Sequence, residues 1–347
     1  MNEILKKWNN LYRKEGNQEI LNNPEFIQII ESVYHVKACH RVIKDNSNEV
    51  GVPCYYVNTP LSGKKITSSP FNFYPYLIGK SDDLLAINEL ITLAKKYGNK
   101  CYVEYKTFTE INAESIKKNN LMKVDSSIVS NLHLYTSYDE QTKKYSKSLR
   151  QNLRTTYKKI NDLGITIKYA EKENELDVWY KLLVRLYRNK HQMITQPDIL
   201  FKKLFNARNS YGMKIGKLLL AYDNGKIIGG IFMLDGNQHW EYSWAAYDLS
   251  YAKYGINTIL VDHAIRHAIE QKVKTFGFGS SSINDKDLVY FKSRWGCQEK
   301  IIKYYYWNHK PSHIDLNTSF AFARTLYSYL PISLLKRIPK YVVPYIA

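Results

Sequence analysis

The order of elements along the chain occurs twice, and this duplication constrains the fold more than any other feature. A hairpin glycine, the buried face of a helix and the strand after it recur at a spacing of 174 residues. The aligned pairs are Gly51 with Gly225, Ile87 with Val261, Ile91 with Ile265, Ala94 with Ala268, and Tyr102 with Phe276. Because apolar residues on two helices align easily by chance, only the shared register of three elements is informative. We therefore expect an α+β fold with two copies of one unit, each a mostly antiparallel sheet with helices packed on it.

The length of the chain agrees with this duplication. A chain of 347 residues is longer than one ordinary core supports. The pattern predicts a polar, loosely packed leader over residues 1–23, a first domain over 24–143, a basic connecting helix over 144–163, a second domain with the chemical motifs over 164–310, and a basic, apolar tail over 311–347.

One stretch near the end of the second unit combines a turn with a charged helix. It is interpreted as a buried strand at 275–278, a glycine-serine turn at 279–282 and a helix at 285–295 closed by Gly296. Lys292 falls near the predicted helix end, where a lysine is ordinarily solvated and compensates the helix dipole. A serine-rich turn beside it is also a suitable place for chemistry, so both interpretations stay open.

A family resemblance bears on this stretch. The segment Tyr290-Phe291-Lys292-Ser-Arg-Trp295-Gly296, preceded by Phe276-Gly-Phe-Gly279-Ser, resembles the ending of FemAB-like (BioF2-like) acyltransferases. The resemblance includes the hairpin at 225–230 and Arg150-Gln-Asn-Leu-Arg154, and it covers most of residues 25–307. It implies two tandem GNAT-like domains with a central cleft and a catalytic role for Lys292 and Phe291. The lysine would supply a positive charge, near the surface of the cleft, where the oxyanion develops.

The candidate substrate contacts lie at three places. Arg150 and Arg154 belong to a row of basic residues, with Lys143, Lys147 and Lys158, along one face of the predicted connecting helix. The resemblance places such residues near the cleft as phosphate contacts, and the alternative is a solvated helix face. Arg294, Ser280 and Ser281 are expected to orient a phosphate or the carbonyl. Tyr242 and Trp244 are expected to stack on sugar or adenine rings, or else to belong to the core.

Several chemistries are excluded by missing motifs. The chain has no G-x-x-x-x-G-K-[ST] phosphate loop, no dinucleotide-binding fingerprint and no G-x-S-x-G nucleophile elbow. The four cysteines have no metal-ligand or C-x-x-C spacing, so no metal site is expected. Residues 252–258, where simple acetyl-CoA enzymes of this fold hold the pyrophosphate, contain one glycine. We therefore expect no tightly bound cofactor and an acyl donor that is either acyl-CoA or aminoacyl-tRNA.

The charge of the chain indicates an anionic partner. Fifty Lys and Arg against 32 Asp and Glu give a net charge of +18. This balance suits a phosphorylated envelope precursor, a nucleotide sugar or tRNA. The sequence shows neither a signal peptide nor a membrane span, so a cytoplasmic location is expected. The acid-free end, 320–347, either contacts an anionic membrane from the inner face or packs back on the protein.

The resemblance implies an N-acyltransferase of the FemAB-like type. The expected reaction moves an acyl or aminoacyl group to an amine on a cell-envelope precursor, either an amino sugar of a surface polysaccharide or a peptidoglycan peptide. The alternative is a non-catalytic GNAT-like module that binds phosphorylated envelope precursors or RNA.

Overall fold

The structure, a computed structural model, describes residues 3–14, 19–34, 36–46, 48–60, 62–71, 74, 76–209, 212–309 and 330–343. The helices of this part are α1 (Glu3–Lys14), α2 (Pro24–Val33), α3 (Asp83–Lys96), α4 (Ala113–Lys118), α5 (Tyr138–Lys144), α6 (Lys147–Asp162), α7 (Glu173–Leu186), α8 (Asp198–Asn206), α9 (Ile256–Glu270), α10 (Lys286–Ser293), α11 (Ile332–Leu335) and α12 (Ile338–Val342). The strands are β1 (Val36–Ala38), β2 (Arg41–Asp45), β3 (Asn48–Val52), β4 (Tyr55–Thr59), β5 (Gly63–Thr67), β6 (Tyr102–Thr107), β7 (Leu121–His133), β8 (Thr166–Tyr169), β9 (Gly216–Asp223), β10 (Lys226–Asp235), β11 (His239–Tyr247), β12 (Thr275–Ser282) and β13 (Gln298–Trp307).

Eleven of these strands form one continuous sheet. Their order is β1-β4-β5-β6-β13-β7-β12-β11-β10-β9-β8, and β2 and β3 form a separate hairpin. The two units join because each places its last strand beside the other unit. Strand β13, from the end of the second unit, pairs with β6, and β7, from the end of the first unit, pairs with β12. Strands β7 and β13 also pair with each other from Leu121↔Trp307 to Asn131↔Gln298.

Both faces of the second half of the sheet are covered by helices. The alternation of side chains along its strands explains why both faces are apolar. On β9, Leu218 and Leu220 belong to the core under α7 and α8. The intervening Leu219 and Ala221 belong to the core under α6 and α9. Because successive side chains of a strand point to opposite faces, a continuous apolar run produces a strand buried on both sides.

The predicted duplication is present in the helices and strands of the two halves. The aligned helix residues Ile87, Ala94, Val261 and Ala268 are all fully buried, on α3 and α9. The alignment of Gly51 with Gly225 is wrong, since the first residue lies inside β3 and the second has the left-handed conformation in a turn.

The strand register also differs by one residue from the predicted alignment. The residue of the first half that matches Phe276 is Val103. Phe276 is in the middle one of the three residue pairs that join β11 and β12, and it packs with α9. Val103 is in the middle one of the three pairs that join β5 and β6, and it packs with α3. A shift of one residue along a strand exchanges the two faces.

The described part of the leader, residues 3–14 and 19–23, is packed, which corrects the expectation of a loose segment there. Trp8 of α1 is fully buried and stacks on the His40 ring at 4.3 Å. Its indole N–H donates to the main-chain oxygen of Asn22 at 3.1 Å. Leu11, almost one turn further along the same helix, is also buried, so an apolar stripe hidden in a polar composition holds this helix on the β2–β3 hairpin.

The described part of the tail packs on the protein. Leu335 and Val343 are buried, and α11 and α12 contact α7 and α8. For residues 330–343 the structure therefore agrees with packing rather than with a free interfacial helix, while residues 311–329 and 344–347 lie outside the described part. Within the described ranges there is no helix with the length and apolarity needed to cross a bilayer.

A fully buried carboxylate joins α9 to α5 and α6. Asp262 of α9 accepts hydrogen bonds from the hydroxyls of Tyr138 at 2.7 Å and Tyr157 at 2.6 Å, and from Nε of Arg266 at 2.9 Å. The Arg266 guanidinium lies over the Tyr138 ring at 3.8 Å. Because the two tyrosine partners of the charge come from α5 and α6, while Arg266 belongs to α9 itself, this cluster sets how α5 and α6 lie against α9.

We expect Asp262→Asn to lower the free energy of unfolding by about 2 kcal/mol, because charge-assisted hydrogen bonds to a buried carboxylate are replaced by weaker ones to an amide. Urea denaturation followed by circular dichroism measures the change. Glu270→Gln on the same helix, whose side chain is 71% exposed, is the control and should shift the midpoint little. Equal midpoints for wild type and Asp262→Asn would show that the cluster does not stabilise the helix contacts.

Candidate functional site

The second half of the sheet contains a fork between β11 and β12. These parallel strands pair only through His239↔Thr275, Trp240↔Phe276 and Glu241↔Gly277. Beyond this point β11 has a bulge at Ser243. Its two neighbours, Tyr242 and Trp244, pair with consecutive residues of β10, so Ser243 has no partner of its own. Strand β12 is irregular between Gly277 and Ser280 where it pairs with β7. Two bulges at the same level separate the strands and leave one backbone edge of β11 without a strand partner among the described residues.

The Phe-Gly-Phe-Gly pattern of β12 makes room for a carboxylate in the fork. Phe276 and Phe278 face the α9 core, so the two glycines face the other side of the sheet. A Cβ atom on Gly277 would lie 1.8 Å from Oε2 of Glu241, and one on Gly279 would lie 3.3 Å from Oε1. The Glu241 carboxylate therefore occupies the space of the missing side chains.

Glu241 lies in a network of buried polar groups. The Tyr74 hydroxyl donates to Oε2 at 2.9 Å, and Nε2 of His239 lies 2.9 Å from the same oxygen. Nδ1 of His239 lies 2.8 Å from the Thr275 hydroxyl. Burial lowers the pKa of His239, but its hydrogen bond with Glu241 and the charges of Glu19 and Glu241 outweigh burial and raise it. The imidazolium favoured in this way keeps a positive charge beside the carboxylate.

Glu19, from the leader, adds a second carboxyl group to this network. Burial raises its pKa, the charge of His239 lowers it, and the charge of Glu241 raises it further. Two carboxyls close to one imidazole favour a state in which one of them holds a proton. The fork therefore contains groups that can accept and return a proton within one cluster.

Lys292 is buried behind the fork, which corrects both earlier expectations for it. The residue is only 2% exposed, so it is neither a solvated helix end nor a residue near the surface of a cleft. Its Nζ donates to the main-chain oxygens of Gly279 at 2.9 Å and Ser280 at 3.3 Å. Burial lowers its pKa to about 8, against the opposing charge of Glu241. The ammonium thus holds the bulge of β12 and keeps one further hydrogen to donate.

The neighbours of Lys292 support it. Phe291 is half-buried, and its ring lies 6.4 Å from the rings of Phe278 and Trp295. The main-chain N–H of Ser146 donates to the main-chain oxygen of Arg294 at 2.9 Å. This hydrogen bond ties the end of α10 to the start of α6. Ser280 is half-buried in the bulge, and the Ser281 side chain is buried with its hydroxyl unpaired among the described residues. Gly296 closes the helix with φ +81, as predicted.

Tyr242 and Trp244 do not form one stacking platform. In a regular strand they would share a face, but the bulge at Ser243 turns them to opposite sides. The Tyr242 hydroxyl donates to Oδ1 of Asn257 on α9 at 3.1 Å. Trp244 packs on Phe201 of α8 at 5.1 Å. Both residues are half-buried, and their principal contacts are with the two cores.

The basic stripe is divided by the helix boundaries. The predicted connecting helix is interrupted at Ser146, whose hydroxyl caps the N-terminus of α6 at the N–H of Leu149. The Arg150 guanidinium donates to main-chain oxygens at the end of α5, among them that of Tyr145, so it caps this helix. Lys147, Arg154 and Lys158 are exposed. The exposed cations of α6 can therefore contact an anionic ligand, whereas Arg150 serves mainly to hold α5.

The equivalent fork of the first half is closed by the chain itself. Strands β5 and β6 pair in parallel from Lys65↔Tyr102 to Thr67↔Glu104. The N–H of Ser68 then donates to the Glu104 oxygen at 3.1 Å, and Nζ of Lys106 donates to the Ser69 oxygen at 2.9 Å. Because Ser68 and Ser69, which follow β5, fill the gap, the fork of the second half is the one of the two that has a free strand edge in the described part of the chain.

Sequence reasoning missed Glu241, His239, Glu19 and Tyr74. One sequence signal could have identified Glu241. It is an acid between two aromatic residues, in the predicted strand that precedes the Phe-Gly-Phe-Gly strand. No local signal identified Glu19 or Tyr74, since they reach the fork from the leader and from the loop after β5.

A comparison with protein families finds one match, in the second half of the chain. Residues 147–287 match the family model described as an acetyltransferase (GNAT) domain. The match begins at α6 and includes both strands of the fork and the start of α10. No curated protein matches the chain.

Solved structures with a similar fold cover most of the chain. The chain is similar to FemX, with 12% identity and a TM-score of 0.62 over 86% of this chain and 93% of that one. It is similar to the C-terminal domain of a putative lysylphosphatidylglycerol synthetase from Agrobacterium fabrum, with 12% identity and a TM-score of 0.53 over 87% and 90%. It is also similar to L-PGS from Bacillus licheniformis, with 11% identity and a TM-score of 0.50 over 88% and 96%. Together with the family match, these likenesses confirm the expected fold class of two tandem GNAT-like units.

Proposed function

We propose that this chain is an N-acyltransferase of the FemAB-like type, which transfers an acyl or aminoacyl group to an amine on a cell-envelope precursor. The observation that carries the proposal is the open fork, with the Glu241 carboxylate over Gly277 and the buried Lys292 ammonium behind it. A carboxylate and a cation on either side of one strand edge suit proton removal from an amine and stabilisation of a developing oxyanion.

The donor lies along the free edge of β11 in this proposal. From Ser243 onward, β11 pairs with β10 on one side, and within the described part of the chain it has no strand on the other. An extended acyl carrier can add main-chain hydrogen bonds to such an edge. The carbonyl to be attacked then lies between the diverging strands, within reach of both Glu241 and Lys292.

The transfer needs no covalent enzyme intermediate. The amine nitrogen attacks the donor carbonyl and forms a C–N bond, and Glu241 accepts the proton that the nitrogen loses. The carbonyl oxygen carries the negative charge, which the remaining hydrogen of Lys292 stabilises. When the tetrahedral species collapses, the bond to the thiol of CoA or to the ribose hydroxyl of tRNA breaks, and the leaving group takes the proton back.

The acceptor and the donor are separate choices. An amino sugar and a peptidoglycan peptide both present an amine, and the name of the lysylphosphatidylglycerol synthetase that shares this fold adds a lipid headgroup to the acceptors worth testing. For the donor, the exposed Lys147, Arg154 and Lys158 of α6 favour tRNA, because a row of cations fits a phosphate backbone.

The test of this proposal is a transfer assay with labelled acetyl-CoA and charged tRNA against amine acceptors at several salt concentrations. With tRNA as donor, we expect log KM to depend steeply on log salt. Arg154→Ala with Lys158→Ala should lower the slope by about 0.7 for each lost contact. With CoA as donor, few phosphates pair with the protein and the slope stays shallow in both proteins.

A matched control removes two cations elsewhere. Lys117→Ala with Lys118→Ala, both exposed on α4, should leave the slope unchanged. If the wild-type protein transfers no group from either donor yet binds phosphorylated ligands, it is a binding module and the proposal is wrong. If the α6 variant keeps the wild-type slope, the stripe is a solvated face.

A further inference from the structure

The two oxygens of the Glu241 carboxylate have different surroundings. Oε2 lies over Gly277, where it accepts a hydrogen bond from the Tyr74 hydroxyl at 2.9 Å and lies 2.9 Å from Nε2 of His239. Oε1 lies on the side of Gly279, and within the described part of the chain no group donates a hydrogen bond to it. The side chain is 13% exposed. One oxygen is therefore held by two partners, while the other keeps its lone pairs for a ligand.

The free oxygen faces the bulge of β12. A Cβ atom on Gly279 would lie 3.3 Å from Oε1, and the main-chain oxygen of Gly279 accepts a hydrogen bond from the Lys292 ammonium at 2.9 Å. Gly279 has φ +70, a conformation that glycine adopts without the steric cost of a side chain. Oε1 is thus free at the point that Lys292 holds, between the diverging strands.

His239 is held at both of its ring nitrogens. Nε2 contacts Glu241, and Nδ1 lies 2.8 Å from the hydroxyl of Thr275, its partner in the parallel pairing of β11 and β12. Because the ring is buried, it cannot rotate without breaking a buried hydrogen bond, and so it fixes the position of Oε2. With Oε2 held at one end and Cα at the other, the planar carboxylate keeps Oε1 on the side of Gly279.

We infer that Oε1 of Glu241 takes the proton from the acceptor amine, and that His239 is a positioning residue that holds the carboxylate in this orientation. This role rests on the acyl transfer proposed above, which makes Glu241 the base without distinguishing its oxygens. As the C–N bond forms, the proton moves from the nitrogen to Oε1, and the leaving thiol or ribose hydroxyl later takes it. His239 and Tyr74 keep their own protons and contact neither substrate.

Kinetics of His239→Leu in the transfer assay test the positioning role. We expect kcat to fall about 30-fold and KM for the amine acceptor to stay within about twofold, because a misplaced catalytic group costs up to about 100-fold. His239→Gln should return kcat to within about fivefold of wild type, since its amide N–H can still donate to Oε2. His267→Gln on α9, whose side chain is 34% exposed, is the matched control and should keep wild-type kcat. Unchanged kcat in His239→Leu would overturn the positioning role.

A double mutant separates positioning from a structural role. Adding His239→Leu to Glu241→Gln should cause no further loss of kcat, because His239 acts only through the carboxylate. A structural role would instead multiply the two losses. If Glu241→Gln alone keeps wild-type kcat, Glu241 is not the base and the proposed mechanism is wrong. If Glu241→Gln lowers kcat and the double mutant loses as much again as His239→Leu does alone, only the role of His239 is wrong.

Imidazole NMR of the free protein provides a measurement that needs no turnover. Burial lowers the pKa of His239, but its hydrogen bond with Glu241 and the charges of Glu19 and Glu241 raise it overall. We expect Glu241→Gln to lower this pKa, because both contributions of Glu241 are lost while that of Glu19 remains. Glu270→Gln, exposed on α9, should leave it unchanged, and the spectrum of His239→Gln assigns the signal. An unchanged pKa in Glu241→Gln would show that the two side chains are not in contact and would overturn the inference.

Discussion

Lys292→Met is expected to lower kcat for acyl transfer about 100-fold while the protein stays folded. The ammonium is buried behind the fork, and loss of one oxyanion contact costs about this factor. Folding should survive because the same ammonium is costly to bury. Its pKa of about 8, below the usual 10.5, corresponds to about 3 kcal/mol. Methionine removes that cost and loses the hydrogen bonds to Gly279 and Ser280, so the melting temperature should change little.

The dependence on pH separates a charged role of Lys292 from a steric one. The ammonium is protonated below pH 8, and so the advantage of wild type over Lys292→Met should shrink as the pH rises through about 8. Stability should move in the opposite direction. Between pH 8 and 10.5 the unfolded chain binds the proton more tightly than the folded one, so wild type gains stability relative to the variant as the pH rises. Lys286→Met, exposed at the start of α10, is the charge-matched control and should retain wild-type turnover. Unchanged turnover in Lys292→Met would remove the lysine from the mechanism.

The local elements around the site were predictable because their signals are local. Phe276 and Phe278 alternate with glycines, Asp285 caps the next helix at the N–H of Leu288, and Gly296 closes it. Each of these depends on a few neighbouring residues and on the steric rules of strands and helix ends.

The contacts that make the site were not predictable in this way. Lys292 is buried because a bulge in β12 turns the oxygens of Gly279 and Ser280 toward it, and the sequence has no marker of that bulge's register. The bulge at Ser243 has the same effect on Tyr242 and Trp244, which a regular strand would place together. Pairing across the chain matters as well, since the Tyr74 hydroxyl reaches Glu241 from 167 positions away.

Glu241→Gln is expected to have the larger effect, lowering kcat about a thousandfold. Glutamine keeps the size of the side chain over Gly277 and Gly279, but it cannot accept the proton that the amine loses. General acid–base groups contribute factors of about 10² to 10⁴. Single-turnover transfer with preloaded donor measures the chemical step without release of product.

Two further variants decide whether the position of this carboxylate matters or only its charge. Gly277→Ala does not change the Glu241 side chain itself. The Cβ atom of the new alanine would lie 1.8 Å from Oε2 of Glu241 and must displace the carboxylate. We expect Gly277→Ala to lose much of the activity that Glu241→Gln loses. Glu104→Gln removes a buried carboxylate from the closed fork of the first half, where it pairs with Lys65 at 3.8 Å and Lys106 at 3.6 Å. That variant should lose stability and keep its kcat, because the gap beside it is filled by Ser68 and Ser69. If Glu104→Gln abolished transfer and Glu241→Gln did not, the chemistry would belong to the first half and the assignment of the open fork would be wrong.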